Sequence, residues 1–295
     1  GAPAAGGLIL DAVVAALGSL PPHAGAWLGR RVGDLGFLAL RGRRRTALAN
    51  LALAFPGFAP AARRRMCRRS FQHLGAMLVE LCATLARPLE HTLSTITLEG
   101  LEHLRRAMEA HGRALVLTAH LGNWELLAAA HRLTGYPLAI VVRPLDSPWL
   151  DVLADRLRRK AGVELIAKRG ALRPVLKALA DGRMVGILLD QNASRREGVF
   201  VPCFGCPAST SKSLALLAVR TGAPVVPIFI RRDGRRHRVT IHPPLPAPAA
   251  NDTEQAVVEL TARCTETIEA AVREAPEQWL WIHNRWRTRP PGPAP

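Results

Sequence analysis

From residue 96 onward, short continuous apolar runs alternate with segments of helical period, and this alternation limits the fold more than any other feature. The strand-sized runs fall at 114–118, 138–142, 163–166, 184–189, 225–230 and 238–241. Between them, 124–133, 148–160, 171–180 and 211–221 read as helices, and a last helix is predicted over 253–274. Runs without polar alternation belong to strands buried on both faces, and intervening helices supply the cover. The pattern predicts an α/β fold with a mainly parallel central sheet flanked by helices.

Residues up to about 88 read as helical instead, with an apolar stripe at Leu74, Met77, Leu78, Leu81 and Leu85. Pro56-Gly57 and Pro60 divide this part. The stretch 8–20 is apolar apart from Asp11 and stops at Pro21-Pro22, short of the roughly 20 residues that a spanning helix needs. It is expected to lie in the membrane interface rather than to cross it. Trp27, Leu28, Val32, Leu35, Phe37, Leu38 and Leu40 come next, interspersed with Arg30, Arg31, Arg41, Arg43, Arg44 and Arg45. That mixture suits a helix held against anionic headgroups, and equally a solvated face packed on its own domain. No basic segment precedes the first apolar run, so no cleavable signal is expected. The chain divides into an N-terminal helical, membrane-associating region, 1–95, and an α/β domain with a C-terminal helix and Trp-rich tail, 96–295.

A composition 48% apolar excludes disorder as the dominant state. The net charge of +17 comes almost wholly from Arg, the Lys residues being Lys160, Lys168, Lys177 and Lys212. A nucleic-acid partner would explain the charge, yet no zinc finger, RNP-type aromatic block or aromatic interleaving of the Arg runs accompanies it. The five cysteines, Cys67, Cys82, Cys203, Cys206 and Cys264, have irregular spacing. They suggest no disulfide framework and a reducing, cytosol-facing location. The lone CxxC at Cys203 and Cys206, set between Pro202 and Pro207, reads as a turn.

Chemistry gathers where the run 114–118 ends, in Ala119-His120-Leu121-Gly122-Asn123-Trp124-Glu125. A His at the carboxyl end of a strand in an open sheet faces the crevice where ligands bind. With His120 on the turn and Glu125 in the first helical turn, the two side chains are expected to meet. A neutral imidazole then takes a proton from an alcohol, while the carboxylate fixes its tautomer. Backbone N–H groups around Gly122 and Asn123 are candidates to receive an oxyanion. A structural His near a helix N-terminus is the alternative that spacing alone leaves open.

The same stretch resembles the His-x4-Asp/Glu motif of the lipid A biosynthesis acyltransferase family, the late lauroyl and myristoyl transferases. Further blocks resemble that family in the same order: 44–56, Val142-Arg143-Pro144-Leu145, Asp190-Gln191 with 198–202 and 207–210, then 221–227 and 276–283. The resemblance implies a glycerolipid acyltransferase-like fold, His120 as general base and Glu125 as its orienting partner. It further implies Arg143, Asp190 and Gln191 in the site, alongside Asn123, as substrate-binding residues. Cys203, Cys206 and the 192–196 loop depart from the family pattern, which leaves acceptor choice open.

The activity that the resemblance implies is direct transfer of a fatty acyl chain to a hydroxyl of a membrane glycolipid, lipid A precursor-like, without metal or cofactor. The donor is an acyl thioester on acyl carrier protein, preferred over CoA, and the expected place is the cytoplasmic face of the inner membrane, against its anionic surface. An acyl-CoA-dependent enzyme acting on a phosphatidylinositol mannoside or ornithine-type lipid, a hydrolase, and more remotely a nucleic-acid-binding protein remain alternatives.

Overall fold

The computed structural model describes residues 2–145, 147–249 and 252–291. Its first four long helices are α1 (Ala2–Gly18), α2 (Pro22–Ala39), α3 (Arg41–Ala54) and α4 (Pro60–Ala86), followed by the short α5 (Leu89–Leu93). Prolines at the first turns of α2 and α4 begin both helices where a missing N–H costs nothing. Pro56-Gly57 falls in the break between α3 and α4, as its turn chemistry predicts.

The α/β part runs β1 (Ile96–Glu99), α6 (Leu101–His111), β2 (Ala114–Thr118), α7 (Trp124–Ala130), β3 (Leu138–Val142), α8 (Pro148–Lys160), β4 (Glu164–Ala167), α9 (Leu172–Ala180) and β5 (Met184–Leu188). A hairpin of β6 (Gly198–Cys203) and β7 (Cys206–Ser211) comes next. It is followed by α10 (Ser213–Thr221), β8 (Val225–Asp233), β9 (Arg236–Ile241) and α11 (Thr253–Glu274). The seven-stranded sheet has the order β1-β9-β8-β2-β5-β3-β4, and every pairing is parallel except β8 with β9. The expected mainly parallel, helix-flanked α/β sheet is the observed one.

Alternate residues of the central strands enter separate cores. Leu115, Leu117, Val185 and Ile187 pack with α3, α9, α10 and α11 on one face. Ala114, Val116, Met184 and Val226 pack with α6, α7 and α8 on the other. Because α7 leaves β2 on one face and α10 leads back to β8 on the opposite face, the chain diverges between the carboxyl ends of β2 and β5. Such a switch point opens a crevice in an open α/β sheet.

The N-terminal helices pack on this framework through α4, which contacts α8 as well as α1, α2 and α3. The approach of α2 to α4 is close: a Cβ on Gly33 would lie 2.2 Å from the Phe71 carbonyl oxygen. The opposite face of α2 is left exposed, carrying Trp27, Leu35 and Leu38. Among the described residues no helix is long and apolar enough to cross a membrane.

Candidate active site

His120 and Asp190 meet at the switch point, one just past the end of β2 and the other just past the end of β5. The ring Nδ1 of His120 lies 2.8 Å from Asp190 Oδ1, and the His120 backbone N–H donates to Oδ2 at 2.9 Å. The indole N–H of Trp279 donates to the same Oδ2 at 2.7 Å. Burial acts to raise the Asp190 pKa, but the neighbouring His120 charge and the three donors outweigh it and hold the carboxyl below the usual range. An ionised Asp190 assigns the proton to Nδ1, which donates, and leaves Nε2 as the basic edge of the ring.

That edge faces Gln191, whose Nε2 lies 3.3 Å from His120 Nε2. Arg143, exposed at the end of β3, donates through Nη2 to Gln191 Oε1 at 3.3 Å. Three of the residues inferred from the sequence, His120, Gln191 and Arg143, thus form one line along the crevice. The ring of Trp124 packs edge-on against His120 at 5.1 Å between centroids.

Glu125 is elsewhere, contrary to the expected His120–Glu125 pair. Its carboxylate accepts from Arg158 Nε at 3.0 Å and Nη2 at 2.7 Å, both side chains buried, in a bidentate pair between α7 and α8. The reason is the helix start: each residue of α7 turns by about 100°, so Trp124 covers the imidazole while Glu125 points toward α8. The carboxylate that orients His120 comes from a strand end 70 residues away in sequence.

The Asn123 side chain is likewise committed within the fold. It is fully buried, accepting from Leu126 N–H at 3.4 Å as the N-cap of α7 and donating to Glu80 Oε2 at 2.9 Å. The Gly122 N–H, a candidate for the oxyanion, donates instead to the Gln278 carbonyl at 3.0 Å. Gly122 has φ +61°, and a Cβ there would sit 2.1 Å from the Ile230 carbonyl oxygen, so only glycine fits this turn. Asp190 itself is 3% exposed, with its oxygens spent on His120 and Trp279.

The segment after Asp190-Gln191 is pinned in turn. Asn192 N–H donates to His283 Nε2 at 3.0 Å, and burial pushes the His283 ring down to about 4, so it accepts as a neutral imidazole. The Cys203-Phe204-Gly205-Cys206 stretch is the predicted turn, joining β6 to β7, with Phe204 buried among Trp279, Trp281 and Trp286. All five cysteines are free, and burial pushes the Cys203 thiol up to about 11.

The family model for bacterial lipid A biosynthesis acyltransferases matches residues 6–288. The chain belongs to this family. It is 30% identical over 268 residues to the lipid A biosynthesis lauroyltransferase of Escherichia coli K12, covering 90% of this chain and 86% of that one. The palmitoleoyltransferase of the same organism is 29% identical over 92% of this chain and 88% of its own. Its myristoyltransferase is 27% identical over 90% and 81%. Among solved structures, the 1-acyl-sn-glycerophosphate acyltransferase PlsC from Thermotoga maritima aligns with a TM-score of 0.37 and 16% identity, covering 80% of this chain and 97% of that chain.

As a member of the family the protein is an acyltransferase, and the blocks that carry its resemblance are tied together in space. Asn50 donates to the Trp281 and His283 carbonyls at 2.8 and 2.6 Å, linking the first block to the last. Buried Arg285 donates to the Ser209 carbonyl at 2.9 Å and to Thr210 Oγ1 at 2.5 Å. Trp279 is 3% exposed, and its indole N–H contact to Asp190 has no signal of its own in one sequence.

Proposed function

We propose that the protein moves a fatty acyl chain directly from an acyl thioester to a hydroxyl of a membrane glycolipid of the lipid A precursor type. The observation that carries this reading is the His120–Asp190 pair at the switch point, with Nε2 turned to the crevice. Nε2 takes the proton of the acceptor hydroxyl as its oxygen bonds to the thioester carbonyl carbon, giving a tetrahedral oxyanion. The C–S bond then breaks, and the leaving thiolate takes the proton back from the imidazolium. Gln191 and Arg143 supply N–H donors beside the base, suited to the oxyanion or to a phosphate of the glycolipid. Among the described residues no serine or cysteine is hydrogen-bonded to His120, whose ring partners are Asp190 and Gln191, so the reading uses no enzyme nucleophile.

The relatives named as lauroyl-, palmitoleoyl- and myristoyltransferases of lipid A biosynthesis support the acceptor class. A net charge of +17 supports an acidic acyl carrier protein as donor through electrostatic steering. The test incubates the purified protein with a lipid A precursor and either acyl carrier protein thioester or acyl-CoA, and identifies lipid products by mass spectrometry. An acylated glycolipid made faster from the carrier protein is expected. Free fatty acid as the sole product identifies a hydrolase, and acylation of ornithine lipid or phosphatidylinositol mannoside alone identifies another acceptor; either overturns the reading.

We further propose that the protein sits on the cytoplasmic face of the inner membrane through α1 to α3. Leu8, Ile9, Trp27, Leu35 and Leu38 are 56–71% exposed beside the Arg-rich start of α3, pairing apolar insertion with attraction to anionic headgroups. Replacing Trp27, Leu35 and Leu38 together by Ser should weaken binding to phosphatidylglycerol vesicles by about tenfold or more, as read by sedimentation. Equal binding of wild type and variant would show a solvated face instead.

A further inference from the structure

Behind the catalytic turn, polar groups from four separate parts of the chain close into one ring. Glu80, on α4, accepts from Asn123 Nδ2 at 2.9 Å. Arg232, on β8, grips both oxygens of Glu80, with Nη2 at 2.8 Å from Oε2 and Nη1 on Oε1. The backbone of Arg232 is held by the Gln278 side chain, its N–H donating to Oε1 at 2.7 Å and its C=O accepting from Nε2 at 3.0 Å. The Gln278 carbonyl accepts from Gly122 N–H at 3.0 Å, and Gly122 precedes Asn123, which closes the ring.

Burial acts to raise the Glu80 pKa, but hydrogen bonds and charges from His237 and Arg232 outweigh it and leave the group well below the carboxylate range. His237 Nε2 stands 3.4 Å from Glu80 Oε2, with the ring 3% exposed. His73, buried on the same helix as Glu80, faces the Gly122 backbone and is pushed down to about 4, chiefly by burial and then by the Arg232 charge. Glu80 is therefore the anion on which Arg232, Asn123 and His237 converge.

The catalytic turn is held from two sides. On one, the 278–280 segment takes the Gly122 N–H, and the Leu280 N–H donates to the His120 carbonyl at 3.1 Å. On the other, Glu80 holds Asn123, the residue that caps α7 three positions after His120. We propose that Glu80, through Asn123 and Arg232, is a positioning residue for the acyl-transfer reaction, fixing the turn that aims His120 Nε2 into the crevice. The proposal rests on His120 being the general base. Small displacements of a reacting group cost up to about 10²-fold in rate, which sets the scale of the effect.

The experiment measures thiol release from lauroyl-CoA in the presence of a lipid A precursor for Glu80→Ala, Glu80→Gln, Asn123→Ala, the double alanine variant and the reciprocal swap Glu80→Gln/Asn123→Asp, with His120→Ala alongside. Glu80→Ala is expected to lower kcat by about 30- to 100-fold with the thioester KM within about threefold. The double alanine variant should lose no more than the worse single one, because Glu80 and Asn123 act in series on the same turn. The swap returns a carboxylate and an amide to the pair and should recover most of kcat. A Glu80→Ala enzyme with kcat within threefold of wild type, multiplicative losses in the double variant, or a folded swap that stays inactive would each overturn the proposal. If Glu80→Ala does not fold, the swap decides. Activity surviving in His120→Ala instead overturns the general-base reading on which the proposal stands.

Discussion

His120→Ala should lower the rate of acyl transfer by about 10²–10⁴-fold, the range that a positioned general base contributes. The expectation comes from geometry: Nδ1 is committed to Asp190 at 2.8 Å, so Nε2 alone is left to remove the acceptor proton. The His120 side chain is 15% exposed and packs edge-on against Trp124, so the fold is checked by far-ultraviolet circular dichroism, which should change little. Asp190→Asn is the companion variant. The carboxamide can turn its oxygen to only one of the two donors that now share the carboxylate with Trp279, and the imidazolium loses its counter-charge. Its kcat should fall by about 10²–10⁴-fold as well, because the imidazolium formed during proton transfer is left without its carboxylate partner. Initial rates with thioester donor and glycolipid acceptor check both. Retention of activity within threefold in His120→Ala would remove the imidazole from the chemistry.

The fold is legible because buried parallel strands write themselves as unbroken apolar runs. The 114–118 and 184–189 segments read as strands by composition alone, and they form β2 and β5. Sheet order is another matter. Nothing in a periodicity places β5 beside β2 rather than at an edge, and it is that adjacency which brings Asp190 to His120. A single chain offers the nearest carboxylate in sequence, Glu125, and the turn at Gly122 makes the local pairing plausible; the actual direction of Glu125 is set by where α7 begins. The β6–β7 hairpin carries prolines and a polar Ala-Ser-Thr-Ser run, so it lacks the apolar signature that marks the sheet strands, although its turn is visible. Glu80 lies beside the apolar stripe of α4, not in it, and nothing in the local sequence shows that Arg232 and His237 fold against it. Contacts between residues far apart in sequence are the ones a local reading misses: the resemblance names His120, Arg143, Asp190 and Gln191, but not that Asp190 is the carboxylate paired with His120.

Glu125→Ala should destabilise the protein by about 3–5 kcal/mol, since it leaves the Arg158 guanidinium in a buried place without its counter-ion. The side chains of Arg158 and Glu125 are 10% and 6% exposed, so water does little to screen the loss. Asp155, 3.5 Å from Arg158 Nη1 and itself 39% exposed, offers only partial replacement. For a chain of this size the loss corresponds to a fall in Tm of about 5–15 °C by differential scanning calorimetry. The double variant Glu125→Ala/Arg158→Met removes both charges and returns apolar contact, so most of the stability should come back. Its activity separates two roles that a single substitution confuses. If Glu125 orients His120, as the His-x4-Glu resemblance implies, the restored double variant folds and stays inactive. If Glu125 acts by clamping α7 to α8, as its contacts with Arg158 indicate, the double variant regains kcat to within about tenfold of wild type, because the His120–Asp190 pair is left intact.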